Sequence, residues 1–233
     1  MVRFTDRDRL RVVTLDRPER RNALRPADLD ALEAAVTGAA AADVPVVYLR
    51  GAGSAFCAGA DLDVVASLSN PEAFARHGQR VANAIETTDC VVIAGVDGAA
   101  RGGGVELALA CDLRIATPEA TFAEPGVRLG LFGAWGGTVR LPRVMREGDA
   151  LDFALSGRTI DAEEALRTGL VSRVEPDPLA VAESLATNEP DALEVVKARM
   201  RDRRGREEQE TAEAAAFGEL VRAHAADIAA DRD

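Results

Sequence analysis

The chain has 233 residues, 47% of them hydrophobic, and a formal charge of −11 at pH 7. That is enough apolar material for one large core, or for one core with a small appendage. The acidic balance argues against nucleic acid as a partner, and no apolar run approaches the ~20 residues needed to cross a bilayer.

The first nine residues include Arg3, Asp6, Arg7, Asp8 and Arg9 and hold no apolar signal segment. Cys57, Cys90 and Cys111 are odd in number, far apart and each set among apolar residues. This fits reduced, buried thiols in a cytoplasmic protein rather than a zinc site or a disulfide framework. Lys197 is the only lysine in an Ala-, Asp- and Glu-rich chain, a composition that fits either a GC-rich genome or a salt-adapted acidic surface.

In chain order, residues 10–16 read as a β-branched strand and residues 17–24 as a polar turn. Pro26 opens a helix with Leu29, Leu32 and Val36 on one face. Residues 44–50 give a second strand, and residues 55–62 are too rich in glycine and alanine for a regular element. Asn70-Pro71 caps and starts another helix, with Phe74, Val81 and Ile85 on its apolar stripe; His77 lies near that stripe and reads as structural. Residues 90–96 form a buried strand that feeds three glycines, a short apolar helix and a further strand at 112–116. Five glycines between Thr121 and Arg140 predict a loop-dominated stretch, with a helix from about Gly136. Asp161 caps a short helix ended by Gly169, residues 170–174 form a strand, and Glu175-Pro176-Asp177-Pro178 marks a boundary before a charged helical region.

The organising stretch runs from Val96 to Asp112, a strand leading through Gly102, Gly103 and Gly104 into a helix carrying Glu106. Glycines at such a junction allow close backbone approach, and the first helical turn presents N–H groups without intrahelical partners. A carboxylate beside such donors can move a proton next to an oxyanion. A Glu in a first helical turn also simply complements the helix dipole. The stretch lacks the spacing of a phosphate-binding loop.

Three segments together resemble the enoyl-CoA hydratase/isomerase (crotonase) superfamily. They are Ala55-Phe56-Cys57-Ala58-Gly59-Ala60-Asp61-Leu62, the stretch from Gly98 to Asp112, and Leu129 to Pro142 with its Gly136-Gly137-Thr138 and Arg140-Leu141-Pro142. The opening Asp16-Arg17-Pro18-Glu19-Arg20-Arg21-Asn22-Ala23-Leu24 fits as well, so the likeness spans about residues 10–176.

The resemblance implies an α/β fold of the ClpP/crotonase type, a spiral of repeated ββα units over 1–176, with a helical C-terminal region over 177–233. It implies an acyl-CoA thioester as substrate, with coenzyme A part of that substrate, no further cofactor and no metal. It also implies a homo-oligomer, a trimer or dimer of trimers, and no nucleic-acid or membrane partner. Backbone N–H groups of Ala58 and Gly103 would hold the thioester oxygen. Ala23, Ala58, Gly59, Ala60, Asp61, Leu62 and Gly102 would contact the substrate, Arg25 a phosphate, and Trp135 the acyl pocket. Lys197 and Arg199 are further candidates for phosphate contacts.

The chain departs from the family pattern at one decisive place. Hydratases of the family use two carboxylates, one holding water and one exchanging a proton with the α-carbon. Glu106 matches the first. The second should follow the proline of Thr121-Phe122-Ala123-Glu124-Pro125-Gly126-Val127, where this chain has Gly126; an acid used by some isomerases falls at Ala134. Three readings stay open: Glu106 acting alone as hydratase or double-bond isomerase, Glu124 serving as the displaced partner, or a non-catalytic acyl-CoA binder. Hydration of a 2-enoyl-CoA is favoured.

Overall fold

A computed structural model describes residues 1–230. A six-stranded sheet has the order β1 (Val2–Arg7), β2 (Leu10–Leu15), β3 (Val46–Gly51), β5 (Val91–Val96), β7 (Leu113–Ala116) and β10 (Arg173–Val174). A four-stranded sheet runs β4 (Ala55–Cys57), β6 (Ala99–Arg101), β8 (Thr121–Ala123) and β9 (Ile160–Asp161). All pairings are parallel except β1 with β2 and β8 with β9.

The helices are α1 (Pro26–Ala40), α2 (Leu62–Val65), α3 (Pro71–Thr87), α4 (Gly103–Ala110), α5 (Gly137–Val144), α6 (Glu147–Ser156), α7 (Ala162–Thr168), α8 (Pro178–Leu185), α9 (Pro190–Arg201), α10 (Arg206–Ala223) and α11 (Ala225–Ala230). The chain gives one strand to the large sheet and the next to the small one: β3 then β4, β5 then β6, β7 then β8. Helical chain follows each pair. This is the ββα spiral.

Period-two alternation explains why the strands of the large sheet read as continuous apolar runs. Val47, Leu49, Val92 and Ala94 face the main core, while Val46, Tyr48, Val91 and Ile93 face a second cluster closed by Ala182 and Ala186 at the end of α8. A sheet covered on both faces has no polar side to show. The turn at 175–178 is therefore no detachment point, because the helix after it seals the outer face of the sheet.

Several elements differ from the sequence reading. Residues 55–62 contain β4 and the start of α2, since small residues suffice for a strand whose neighbours supply the packing. The charged N-terminal stretch is an edge strand that pairs through its backbone and leaves its side chains outside. Thr121 to Arg140 holds β8 and a 3-10 turn, Pro125–Leu129, before α5. The strand over 170–174 shortens to β10, with Gly169 (φ +83°) turning the chain out of α7 and Leu170 and Val171 buried in the core. Helix α6 had no sequence signal of its own.

The three thiols are buried and unpaired, and burial pushes Cys57 and Cys111 up to about 12. No described helix is long and apolar enough to cross a membrane.

Candidate active site

The site forms where three neighbouring parallel strands of the small sheet end together. In register, Arg101 lies beside Ala123, and Cys57 beside Ala100. The next residues along each strand are Ala58-Gly59-Ala60, Gly102-Gly103, and Glu124. Ligands of parallel sheets bind outside such carboxyl ends, where the turns diverge.

Two glycines make this junction possible. Gly102 caps α4 at φ +49°, ψ −120°. Gly59, at φ +87°, lies so close to the helix start that a Cβ there would sit 2.8 Å from the Gly103 nitrogen. The 59–60 turn and the first N–H of α4 thus share one small space.

The donors differ from those read off the sequence. The Ala58 N–H is engaged, donating to the Arg21 carbonyl at 2.9 Å, so it is not free for a substrate. Ala60 is the residue whose N–H is free. Leu24 forms a parallel bridge to it, its N–H donating to the Gly59 carbonyl at 2.8 Å and its own carbonyl accepting from the Asp61 N–H at 3.0 Å. Such a bridge turns the N–H of the middle residue away. Among the described residues, neither the Ala60 nor the Gly103 N–H has an acceptor.

Glu106 is buried at 1% exposure on a helix whose residues are all buried. Its Oε1 accepts from the backbone N–H groups of Trp135 and Gly137, at 2.7 Å each. Burial pushes its carboxyl up to about 7, against the opposing pull of the Gly137 and Trp135 N–H groups and the Arg140 charge. The loop over it has no room for a side chain at positions 133 and 137. A Cβ on Gly133 would lie 2.8 Å from the Glu106 carboxyl carbon, and one on Gly137 2.9 Å from Oε1.

Arg140, which sequence reasoning did not single out, ties that loop down. Buried at 5% exposure, it donates to Glu86 at 2.8 and 2.5 Å, to Asn83 at 2.8 Å and to the Trp135 carbonyl at 3.3 Å. Helix α3 thereby holds in place the two N–H groups that grip Glu106. The presence of Arg140 inside a family segment was the available signal; its partners lie 54 and 57 residues away.

Glu124 leaves β8 and enters a small cavity with Val127, Phe132, Thr138, Leu141 and Ala154. Both of its carboxyl oxygens are buried and accept no hydrogen bond. Burial first, and the nearby Glu106 second, push it up to about 8. Gly126 does not line this cavity. It lies in the 3-10 turn, its carbonyl accepts from Leu131 N–H at 2.9 Å, and a Cβ there would crowd Leu131 at 3.2 Å.

The remaining sequence candidates are placed as follows. Trp135 is buried at 3% exposure, edge-on to Phe74 at 5.8 Å and against Gly78 and Gly103, so its ring packs beneath the Gly103 turn instead of lining an acyl pocket. Asp61 is a buried structural anion: it accepts from Arg17 at 2.6 Å and caps α2 through the Asp63 N–H. Arg25 is fastened to Asp28 at 2.7 Å. Lys197 is held by the Cys90 carbonyl and Asp112, and Arg199 by Asp202. Ala23 is buried, Leu62 is exposed, and Ala134, whose carbonyl accepts from Gln79, brings no acid.

Comparison with known proteins fits this arrangement. The sequence profile described as enoyl-CoA hydratase/isomerase matches residues 6–226. A probable enoyl-CoA hydratase of Mycobacterium tuberculosis is 38% identical over 79% of this chain and 72% of its own. A crotonyl-CoA hydratase of Syntrophomonas wolfei is 42% identical over 74% of this chain and 68% of its own. The crystal structure of an enoyl-CoA hydratase from Thermoplasma volcanium superposes with a TM-score of 0.89 at 30% identity, covering 94% of this chain and 91% of that one.

Proposed function

The chain belongs to the enoyl-CoA hydratase/isomerase family, and from that premise we propose that it adds water across the double bond of a 2-enoyl-CoA thioester. The observation that carries this reading is the pair of free backbone donors, Ala60 N–H and Gly103 N–H, held one helical turn from a buried Glu106. A thioester oxygen placed between the two donors gains hydrogen bonds as charge builds on it. Fixed donors of this kind supply about 3 kcal/mol of transition-state stabilisation. Glu106, held on Oε1, presents its other oxygen as the proton-transfer atom.

This reading puts Ala60, not Ala58, in the oxyanion hole and Gly103 opposite it. The segment from Gly59 to Leu62 lies where the thioester arm would pass, and coenzyme A enters only as part of the substrate. The family resemblance also implies self-association. Helices α9, α10 and α11 contain no buried residue yet carry exposed Val196, Met200, Phe217 and Ile228, and we place the contact between copies there.

The test follows crotonyl-CoA by loss of its conjugated absorbance. Wild type should turn it over, and Glu106→Gln should lose at least about 100-fold in kcat while still binding butyryl-CoA. Tight thioester binding without hydration in wild type would refute the reading.

A further inference from the structure

We propose that Glu124 is the second proton-transfer group of this site, exchanging the proton of the substrate's α-carbon in place of an acid absent from position 126. The assignment rests on the acyl-CoA reading above. Its foundation is geometric. Glu124 is the first residue beyond β8, so the register that aligns the ends of β4, β6 and β8 delivers its side chain to the same edge as Ala60 and Gly103.

The surroundings of Glu124 have no structural use for a carboxyl. Its exposure is 6%, both oxygens lack partners, and its neighbours in the cavity are mostly apolar. A buried polar group without hydrogen bonds destabilises a fold, and such groups persist where they do chemistry. At position 126, by contrast, a side chain would crowd the Leu131 backbone, its Cβ 3.2 Å away, in the turn that the Gly126–Leu131 hydrogen bond closes. The acid has moved to the residue that the strand itself aims into the site.

The two carboxyls are set up for opposite roles. Two N–H donors on Glu106 favour its ionised form, whereas no donor reaches Glu124 and the Glu106 charge opposes its ionisation. The proton therefore resides on Glu124. As water adds, its oxygen bonds to the β-carbon and one water proton passes to Glu106. The π electrons move onto the thioester oxygen between Ala60 and Gly103. When the enolate collapses, the α-carbon takes the Glu124 proton. The pair holds one proton before and after, and its return from Glu106 to Glu124 resets the site.

The experiment compares wild type with Glu124→Gln, using crotonyl-CoA for hydration and butyryl-CoA in D2O for α-hydrogen exchange read by NMR. Hydration should need Glu106 ionised and Glu124 protonated, giving an acid limb and an alkaline limb; Arg140 and Glu124 are the charged groups facing Glu106, and Glu106 the one facing Glu124. Glu124→Gln should lower kcat at least about 100-fold with KM within about threefold, abolish α-exchange, and remove the alkaline limb from the residual rate. Retention of more than half the turnover, or of the alkaline limb, overturns the assignment.

Should that variant not fold, Glu106→Gln decides the matter. Measured above about pH 8, where Glu124 is ionised and can take the α-proton, it should lose hydration yet still exchange the α-hydrogens, whereas loss of exchange would place the α-proton on Glu106 and sink the proposal. A wild type that exchanges through Glu124 without hydrating any enoyl-CoA would refute the hydratase reading alone.

Discussion

Replacing Glu124 by glutamine should make the protein more stable in alkaline solution and change little in acid. The Glu124 carboxyl is pushed from the ordinary value of 4.5 up to about 8, chiefly because it is buried, with no hydrogen-bond donor to offset that burial. An acid whose folded value is raised binds protons more tightly folded than unfolded, so folding gains from low pH and loses as pH rises. The loss begins near the unfolded value of 4.5 and is complete above the folded value of about 8. At about 1.36 kcal/mol for each pH unit of that window, the penalty on this one side chain grows by about 4 kcal/mol between about pH 5 and pH 9.

The amide of the Glu124→Gln variant cannot ionise, so that protein escapes the penalty. Urea denaturation of both proteins at about pH 5, 7 and 9, read as Cm at equal m, isolates the difference. Titrating groups remote from Glu124, the buried Cys57 and Cys111 among them, cancel in the comparison; Glu106, whose charge adds the lesser part of the Glu124 shift, does not. Glu124→Gln should match wild type within about 1 kcal/mol at about pH 5 and exceed it by about 3 to 4 kcal/mol at about pH 9. Parallel stability curves across the range would refute the claim that this carboxyl is held neutral against its own preference. The variant most harmful to activity should thus be the more stable protein, as expected where a fold carries a functional group it would otherwise exclude.

Asp61→Asn should cost about 2 kcal/mol, because it removes the charge from a buried acceptor of the part-exposed Arg17 and leaves Arg17 only the exposed Glu19 as a carboxylate partner. KM for acyl-CoA should change less than about threefold; an unchanged melting curve with a large rise in KM would restore Asp61 as a ligand contact. Arg140→Leu releases the 135–137 loop from Glu86 and Asn83 and should lower kcat at least about tenfold, with Arg140→Lys intermediate. Equal activity in both variants, measured with crotonyl-CoA, would show that the Glu106 donors hold their place unaided.

Sequence alone determined the family and the spiral, because the glycine junctions, the apolar strand runs and the segment order are local properties written in consecutive residues. It also placed Glu106, since a Gly-rich strand-to-helix turn with an early carboxylate carries its own geometry. The partners were not local. Whether Ala58 or Ala60 offers a free N–H depends on the chain alongside: the Arg21 carbonyl takes the Ala58 N–H, whereas the bridge to Leu24 turns the Ala60 N–H away, and both partners lie far earlier along the chain. The same holds for Trp135, whose indole reads as a pocket wall until Phe74, Gly78 and Gly103 close around it. The missing acid at Gly126 was legible as an absence. Only the parallel register of β4, β6 and β8, formed between segments well separated in the chain, brought Glu124 into a cavity near Glu106, because strand pairing and not sequence proximity fixes where a residue lies.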